Sequence, residues 1–286
     1  MSAPGQAAAS RSPFASREFG LRTVSALVLG AVVLSALAVG GWAFAAVWLV
    51  AGILGAGEWI AMSRPGRPRP LLLATGVALA LLCVAFEAGA SAPVLAGLAG
   101  LALAVVLAIA PDGESRRKAA LGLVCAAVVA LVPTALRDDP AIGVVGPAWM
   151  FAVVWSTDIV AYVTGRTLGG PKLLPRVSPK KTWSGALGGL AGGTLAGLAV
   201  VLVARDHGWR DLAAAPLPLV ALLSAAASLV SQAGDLYESA LKRRCGVKDS
   251  GRSIPGHGGV MDRLDGFFTV AVLAGLCLLA RRWVAA

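Results

Sequence analysis

Asp262 and Asp265 stand three residues apart at the head of one apolar run, and Asp235 lies near the end of the run before it. At i and i+3 on a helix the first two carboxylates can face one point. Three hard oxygen donors of this kind suit Mg²⁺, which commonly completes its shell with phosphate oxygens of a substrate. Between them lie Lys248-Asp249-Ser250-Gly251-Arg252 and Pro255-Gly256-His257-Gly258-Gly259. Glycines on both sides of His257 permit positive φ and present backbone N–H groups, as an anion-cradling turn requires. Lys242, Arg243, Lys248, Arg252 and Arg263 add the countercharge a triphosphate needs. Residue by residue, the stretch also reads as a basic loop before a helix whose N-terminus favours acids. As a cluster it suits metal-assisted chemistry on phosphate.

Two further stretches fit that chemistry. Asp158 and Tyr162, four apart, share a helical face ahead of Gly165-Arg166. Ionisable groups inside apolar runs are costly and therefore candidates for function; pairing with a basic loop residue is the structural alternative. Asp235, Ser239 and Lys242 fall at i, i+4 and i+7 and form one polar stripe. An interfacial helix end with snorkelling bases accounts for Arg244 but not for Asp235. Ser178-Pro179-Lys180-Lys181-Thr182 places hydroxyls and ammoniums beside a helix start, which suits phosphate. Basic loops are also expected on the cytoplasmic side of any membrane protein.

The elements that must position these residues are membrane helices. Of 286 residues, 57% are apolar and only 14% charged, with a mean hydropathy of +0.78; soluble domains carry roughly 25% charge. Disorder, a nucleic-acid-binding domain and a disulfide scaffold are excluded as descriptions of the whole chain. The net charge of +10 therefore points to membrane lipids and phosphates, with no nucleic acid as partner. Four scattered cysteines without metal spacing read as small core residues.

Nine runs approach the about 20 apolar residues that a span needs: Thr23–Val39, Trp42–Ala61, Leu71–Ala88, Pro93–Ala110, Ala119–Leu136, Ile142–Val163, Ser184–Ala204, Pro216–Tyr237 and Leu264–Ala280. The expected fold class is an all-α integral membrane protein of about nine transmembrane helices. With alternating sides, 20 of the 25 Lys and Arg residues fall on the face that holds the N-terminus, which is then cytoplasmic. Residues 1–20 read as a disordered cytoplasmic tail and 21–140 as a scaffold of about five helices, lipid-facing or dimer-forming. Residues 141–286 read as the catalytic part, about four helices with two large cytoplasmic loops. Glu58 and Glu87, the acids within the first five runs, fall to the scaffold. No internal repeat is visible, so the inverted-repeat architecture of many transporters lacks support.

The run SALKRRCGVKDSGRSIPGHGGVMDRLD, Ser239 to Asp265, resembles the signature of the phosphatidate cytidylyltransferases, also called CDP-diacylglycerol synthases. That pattern has a Ser, a Lys-Arg pair, Lys-Asp after four residues, His-Gly-Gly and Asp-Arg-x-Asp, and each fixed position is met. Asp158 with Ala161-Tyr162 and Gly165-Arg166, SPKKT at Ser178 to Thr182, and Gln232 with Gly234-Asp235 extend the match over Trp155 to Gly266. One departure is Ser184, where the family usually has Glu.

The resemblance implies an enzyme of the bacterial-type cytoplasmic (inner) membrane, with its site at the cytoplasmic face. It would join CTP to phosphatidic acid, release pyrophosphate and form CDP-diacylglycerol. It implies Mg²⁺, with K⁺ as a possible second cation, and a homodimer. Asp235, Asp262 and Asp265 fall at the metal-site positions, with Asp158 as a further ligand candidate. Lys248, His257 and Arg263 complete the catalytic set. Ser178, Lys180, Lys181, Thr182, Ser239, Lys242, Arg243, Arg252, Gly258, Gly259, Tyr162 and Arg166 are the substrate-binding candidates. The nucleophile is already an anion, so catalysis rests on alignment and charge neutralisation. Two other readings are a CTP-dependent polyprenol or lipid kinase and, from another class, a cation-coupled transporter. The transporter leaves His257 and the Asp262/Asp265 pair without a role, and no CDP-alcohol phosphotransferase motif is present.

Overall fold

A computed structural model describes residues 17–208, 215–255 and 258–285. Residues 1–16 of the expected tail, and His257, lie outside the described residues. The elements are α1 (Arg17–Val39), α2 (Gly41–Ser63), α3 (Pro68–Glu87), α4 (Ala92–Ile109), α5 (Gly113–Arg137), α6 (Val145–Thr167), β1 (Lys172–Leu174), β2 (Ser178–Thr182), α7 (Trp183–Asp206), α8 (Leu217–Arg244) and α9 (Met261–Ala285). Eight of these helices, α2 to α9, are long and apolar enough to cross a membrane. The apolar part of α1, Thr23–Val39, is shorter. The all-α membrane fold is therefore as expected from the apolar runs.

Starts and stops follow local chemistry. Pro in the first turn opens α3, α4 and α8, where its missing N–H costs nothing. Asp112 caps α5 by accepting the Ser115 N–H at 2.8 Å, and Thr182 caps α7 by accepting the Gly185 N–H at 3.1 Å. The helices run up and down. At one end α2 meets α5 through the Trp59 indole N–H to the Lys118 carbonyl, 2.7 Å. At the other, Arg137 of α5 reaches the Leu37 carbonyl of α1 at 3.0 Å, and Asp139 is clasped by Arg281 and Arg282 of α9.

The largest core crosses the expected division at residue 140. Trp48 of α2 stacks on Phe267 of α9, centroids 4.6 Å apart, and on Phe151 of α6 at 5.9 Å. In a bilayer, helix association rests on such packing and on polar contacts rather than on expulsion of water. The α6–α7 pair shows both. Gly185, Gly189, Gly193 and Gly197 form a buried stripe at spacing four, and Ser228 of α8 donates to the Gly189 carbonyl at 3.2 Å while receiving the Thr157 hydroxyl at 2.8 Å. A Cβ on Gly189 would lie 2.9 Å from the Thr157 carbonyl oxygen, and one on Gly185 2.8 Å from that of Ala161. Gly189→Leu is therefore expected to force α6 from α7 and cost about 1–3 kcal/mol or more. Thermal unfolding in detergent reads this as a lowered midpoint, and a midpoint within one degree of wild type would remove the close-packing argument.

One expected loop has structure of its own. Pro171, Pro175 and Pro179 bar a helix between α6 and α7, and β1 pairs antiparallel with β2, Lys172 opposite Thr182 and Leu174 opposite Ser178. Gly169 and Gly170, at φ 62° and 100°, turn the chain into it. A lone hairpin is marginal; this one is tied down where the Trp183 N–H meets the Pro171 carbonyl at 3.1 Å.

Candidate active site

The hairpin roofs a cavity of about 530 Å³ between α6, α7 and α8, lined by Asp158, Tyr162, Arg166, Lys172, Lys180, Lys181, Thr182, Gln232 and Asp235. The Asp158–Arg166 stretch, the Lys180-Lys181-Thr182 run and Asp235 therefore meet in one place. Lys181 makes an ion pair with Asp235, and Ser239 donates to Asp235 Oδ1 at 3.4 Å. Arg166 donates to the Tyr162 hydroxyl at 2.6 Å and lies over its ring. Tyr162, 64% exposed, stands at the outer edge.

Asp265 of α9 does not line this cavity but lies close enough to interact with its acids. It lies in the field of Asp235, Glu238 and Asp158, while Asp158 in turn feels Asp235, Lys181 and Arg263. The close approach of α8 and α9 depends on Gly234, whose added Cβ would lie 2.8 Å from the Asp265 carbonyl oxygen. Three carboxylates from α6, α8 and α9 thus repel one another, with Lys181 as the nearest countercharge that forms an ion pair with any of them. On the other side of α8 is a second cavity, about 340 Å³ and mainly apolar, lined among others by Gly55, Trp59, Gly122, Cys125, Glu238, Leu264 and Asp265.

The stretch from Lys242 to Met261 folds around two internal carboxylates. Lys242 bridges Glu238 (3.1 Å) and Asp262 (2.6 Å). Asp262 Oδ2 accepts the N–H groups of Gly259 (2.8 Å) and Ser250 (3.0 Å), and Oδ1 also receives Ser250 N–H at 3.2 Å. The loop is pinched where Ile254 N–H meets the Gly258 carbonyl at 2.9 Å. Gly258 has φ +86°, a backbone that an L side chain would strain. Of the glycines expected to cradle an anion, Gly259 turns its N–H to the chain's own Asp262.

The second carboxylate is Glu58 of α2, assigned to the scaffold from sequence. It is 6% exposed and reaches across to the loop between α8 and α9. Oε1 accepts Ser253 Oγ–H (2.6 Å) and Val260 N–H (2.8 Å), and Oε2 accepts Ser250 Oγ–H (2.9 Å) and Met261 N–H (2.9 Å). A lone acid in a long apolar run was the signal that could have found it.

Not all the candidates converge. Arg243, Lys248, Arg252 and Arg263 are exposed and do not line the hairpin cavity. Ser178 is part-buried in β2, and Lys242 is already engaged by two acids. Among the described residues, no three of the His, Cys, Asp and Glu side chains are preset as a metal cage. The arrangement can bind an anionic substrate through Lys180, Lys181 and Arg166, and Asp158 and Asp235 bring carboxylate oxygens to the same cavity.

Residues 20–280 match the model of the cytidylyltransferase family. Phosphatidate cytidylyltransferases of Brucella abortus and Brucella suis are each 42% identical over 260 residues, 88% of this chain and 90% of theirs. A phosphatidate cytidylyltransferase of Staphylococcus saprophyticus is 44% identical over 129 residues, 45% of this chain and 47% of its own.

Proposed function

The chain belongs to the cytidylyltransferase family, a family of nucleotidyltransferases, and from that premise we propose that it makes CDP-diacylglycerol and pyrophosphate from CTP and phosphatidic acid. The observation that carries the reading is a polar cavity lined by Asp158 and Asp235 together with Lys180, Lys181 and Arg166 beneath the hairpin. An acid-and-base pair of walls suits a reaction in which two phosphates must be brought together.

An oxygen of the lipid phosphate attacks the α-phosphorus of CTP, a P–O bond forms there, and the bond to the β-phosphate oxygen breaks as pyrophosphate leaves. The attacking oxygen carries no proton at neutral pH, so no general base is needed, and the protein's task is to align and neutralise. Lys180, Lys181 and Arg166 hold the polyphosphate and take up the charge that develops on the leaving group. The residues that would hold Mg²⁺ are Asp235, Asp265 and Asp158, hard oxygen donors from three helices that lie in one another's field, with one ion pair, from Lys181 to Asp235, among them. When bound there, Mg²⁺ supplies Lewis-acid polarisation of the phosphates. Lys181 then exchanges its bond to Asp235 for one to phosphate. K⁺ as a second cation and a homodimer are part of the same proposal, as is a cytoplasmic site, which the excess of Lys and Arg on that face supports.

Ser184, where the family usually has Glu, bonds to the Gly169 carbonyl and lies 3.0 Å from Thr182 Oγ. It ties the hairpin's entrance to the start of α7, and carries no charge that a Glu would bring.

Purified protein in lipid-containing micelles, given CTP, phosphatidic acid and Mg²⁺, should release pyrophosphate and CDP-diacylglycerol in equal amounts. CDP with a phosphorylated lipid would replace the proposal with the lipid kinase. Cation flux without nucleotide turnover would replace it with the transporter.

A further inference from the structure

We propose that Glu58 is a positioning residue for the reaction: α2, in the half of the chain without other site residues, holds the signature loop in its working shape. This rests on the reading of the function above. Each Glu58 oxygen accepts one hydroxyl and one backbone N–H, and the four donors come from both ends of the loop, Ser250 and Ser253 before the Ile254–Gly258 bridge and Val260 and Met261 after it. The carboxylate thus draws the two arms together from below. The fit is close on both sides: a Cβ on Gly251 would lie 2.6 Å from Glu58 Oε1, and Gly259 has no room for one either.

The consequence reaches the site through shared residues. Ser250 gives its hydroxyl to Glu58 and its N–H to Asp262, and Asp262 in turn holds Lys242. Gly259 gives its N–H to Asp262 one residue before Val260 gives its own to Glu58. Loosening Glu58 therefore frees the head of α9, where Met261 and Asp262 are held, and with it Asp265 one turn further along the same helix. It leaves the hairpin cavity's own lining in place, since Glu58 is not part of it. Charged acceptors hold such bonds more strongly than neutral ones, and buried networks fail when one member is mismatched.

Glu58→Gln keeps size and removes one acceptor. Either amide orientation points an N–H at the N–H of Val260 or Met261, so it cannot restore the pattern. The expected result is a fall in kcat of about 100-fold with KM for phosphatidic acid within about threefold. Amide hydrogen exchange should quicken at Ser250, Gly259, Val260 and Met261 while the helices stay protected. A rate within twofold of wild type, or unchanged exchange at those four amides, overturns the proposal. Should Glu58→Gln fail to fold, Ser253→Ala decides, because it removes one hydroxyl from an exposed residue. An about fivefold loss of kcat at an unchanged unfolding midpoint upholds the proposal, and full activity overturns it. If wild type forms no CDP-lipid, the reading of the reaction falls separately. The clamp is then judged by exchange alone: lost protection confined to the loop upholds it, and retained protection refutes it.

Discussion

Asp235→Asn is expected to lower kcat/KM for CTP by about 1,000-fold, an effect of the size seen when a group that stabilises developing charge is removed. The substitution keeps shape and hydrogen bonding to Ser239, and removes one of the charges at the point where α6, α8 and α9 bring Asp158, Asp235 and Asp265 into each other's field. A simpler role competes with this one. Asp235 pairs with Lys181, and a residue that only neutralises a lysine would also matter. The two roles separate in a double variant. If Asp235 serves only Lys181, then Lys181→Met with Asp235→Asn removes both charges and should be no worse than Lys181→Met alone. If Asp235 holds the cation that carries CTP, the double variant should be at least as impaired as Asp235→Asn. The Mg²⁺ concentration for half-maximal rate should rise at least tenfold in Asp235→Asn, and an unchanged value would remove Asp235 from the cation site.

Much of the fold was legible because a bilayer leaves few alternatives: apolar runs of span length must satisfy their backbone within themselves, and helices do so. Charge alternation among the loops followed from the same runs. The hairpin between α6 and α7 was missed since its strands have three and five residues, too short for a period to show. At the site, spacing alone placed Asp235 with Ser239 and Asp158 with Tyr162, because such pairs sit on one helix. What spacing cannot show is a partner some 190 residues away in sequence. Glu58 gives no local sign of which loop it serves, only the anomaly of a carboxylate among apolar residues. The glycines around His257 read from sequence as a cradle for a substrate anion; that Gly259 turns its N–H to Asp262 is a tertiary fact. Glu238 was passed over in favour of its neighbours for the same reason, since its partner Lys242 was counted as free for phosphate.

The second large effect concerns Asp262, and the structure changes what its loss should mean. From sequence it pairs with Asp265 as a metal ligand. In the folded chain its oxygens are met by Lys242 and by the N–H groups of Ser250 and Gly259. To take a cation as well, it would have to surrender bonds that close the loop. Asp262→Asn brings an amide N–H against Ser250 or Gly259, whichever way the side chain is turned, and leaves Lys242 facing a weaker partner in a buried setting, where an unmatched charge is costly. Activity is expected to fall by about 100-fold or more, as a metal-ligand role would also require. The distinguishing measurements are two. With Asp262 as the anchor of the loop, the residual activity keeps the wild-type Mg²⁺ dependence, and exchange quickens at Ser250 and Gly259 even without Mg²⁺ or CTP. With Asp262 as a ligand, the Mg²⁺ requirement rises as in Asp235→Asn and the ligand-free loop stays protected. The geometry favours the first outcome, because both oxygens of Asp262 are already engaged by Lys242 and two loop N–H groups, whereas Asp235 and Asp265 lie in each other's field with Lys181 paired to Asp235 alone.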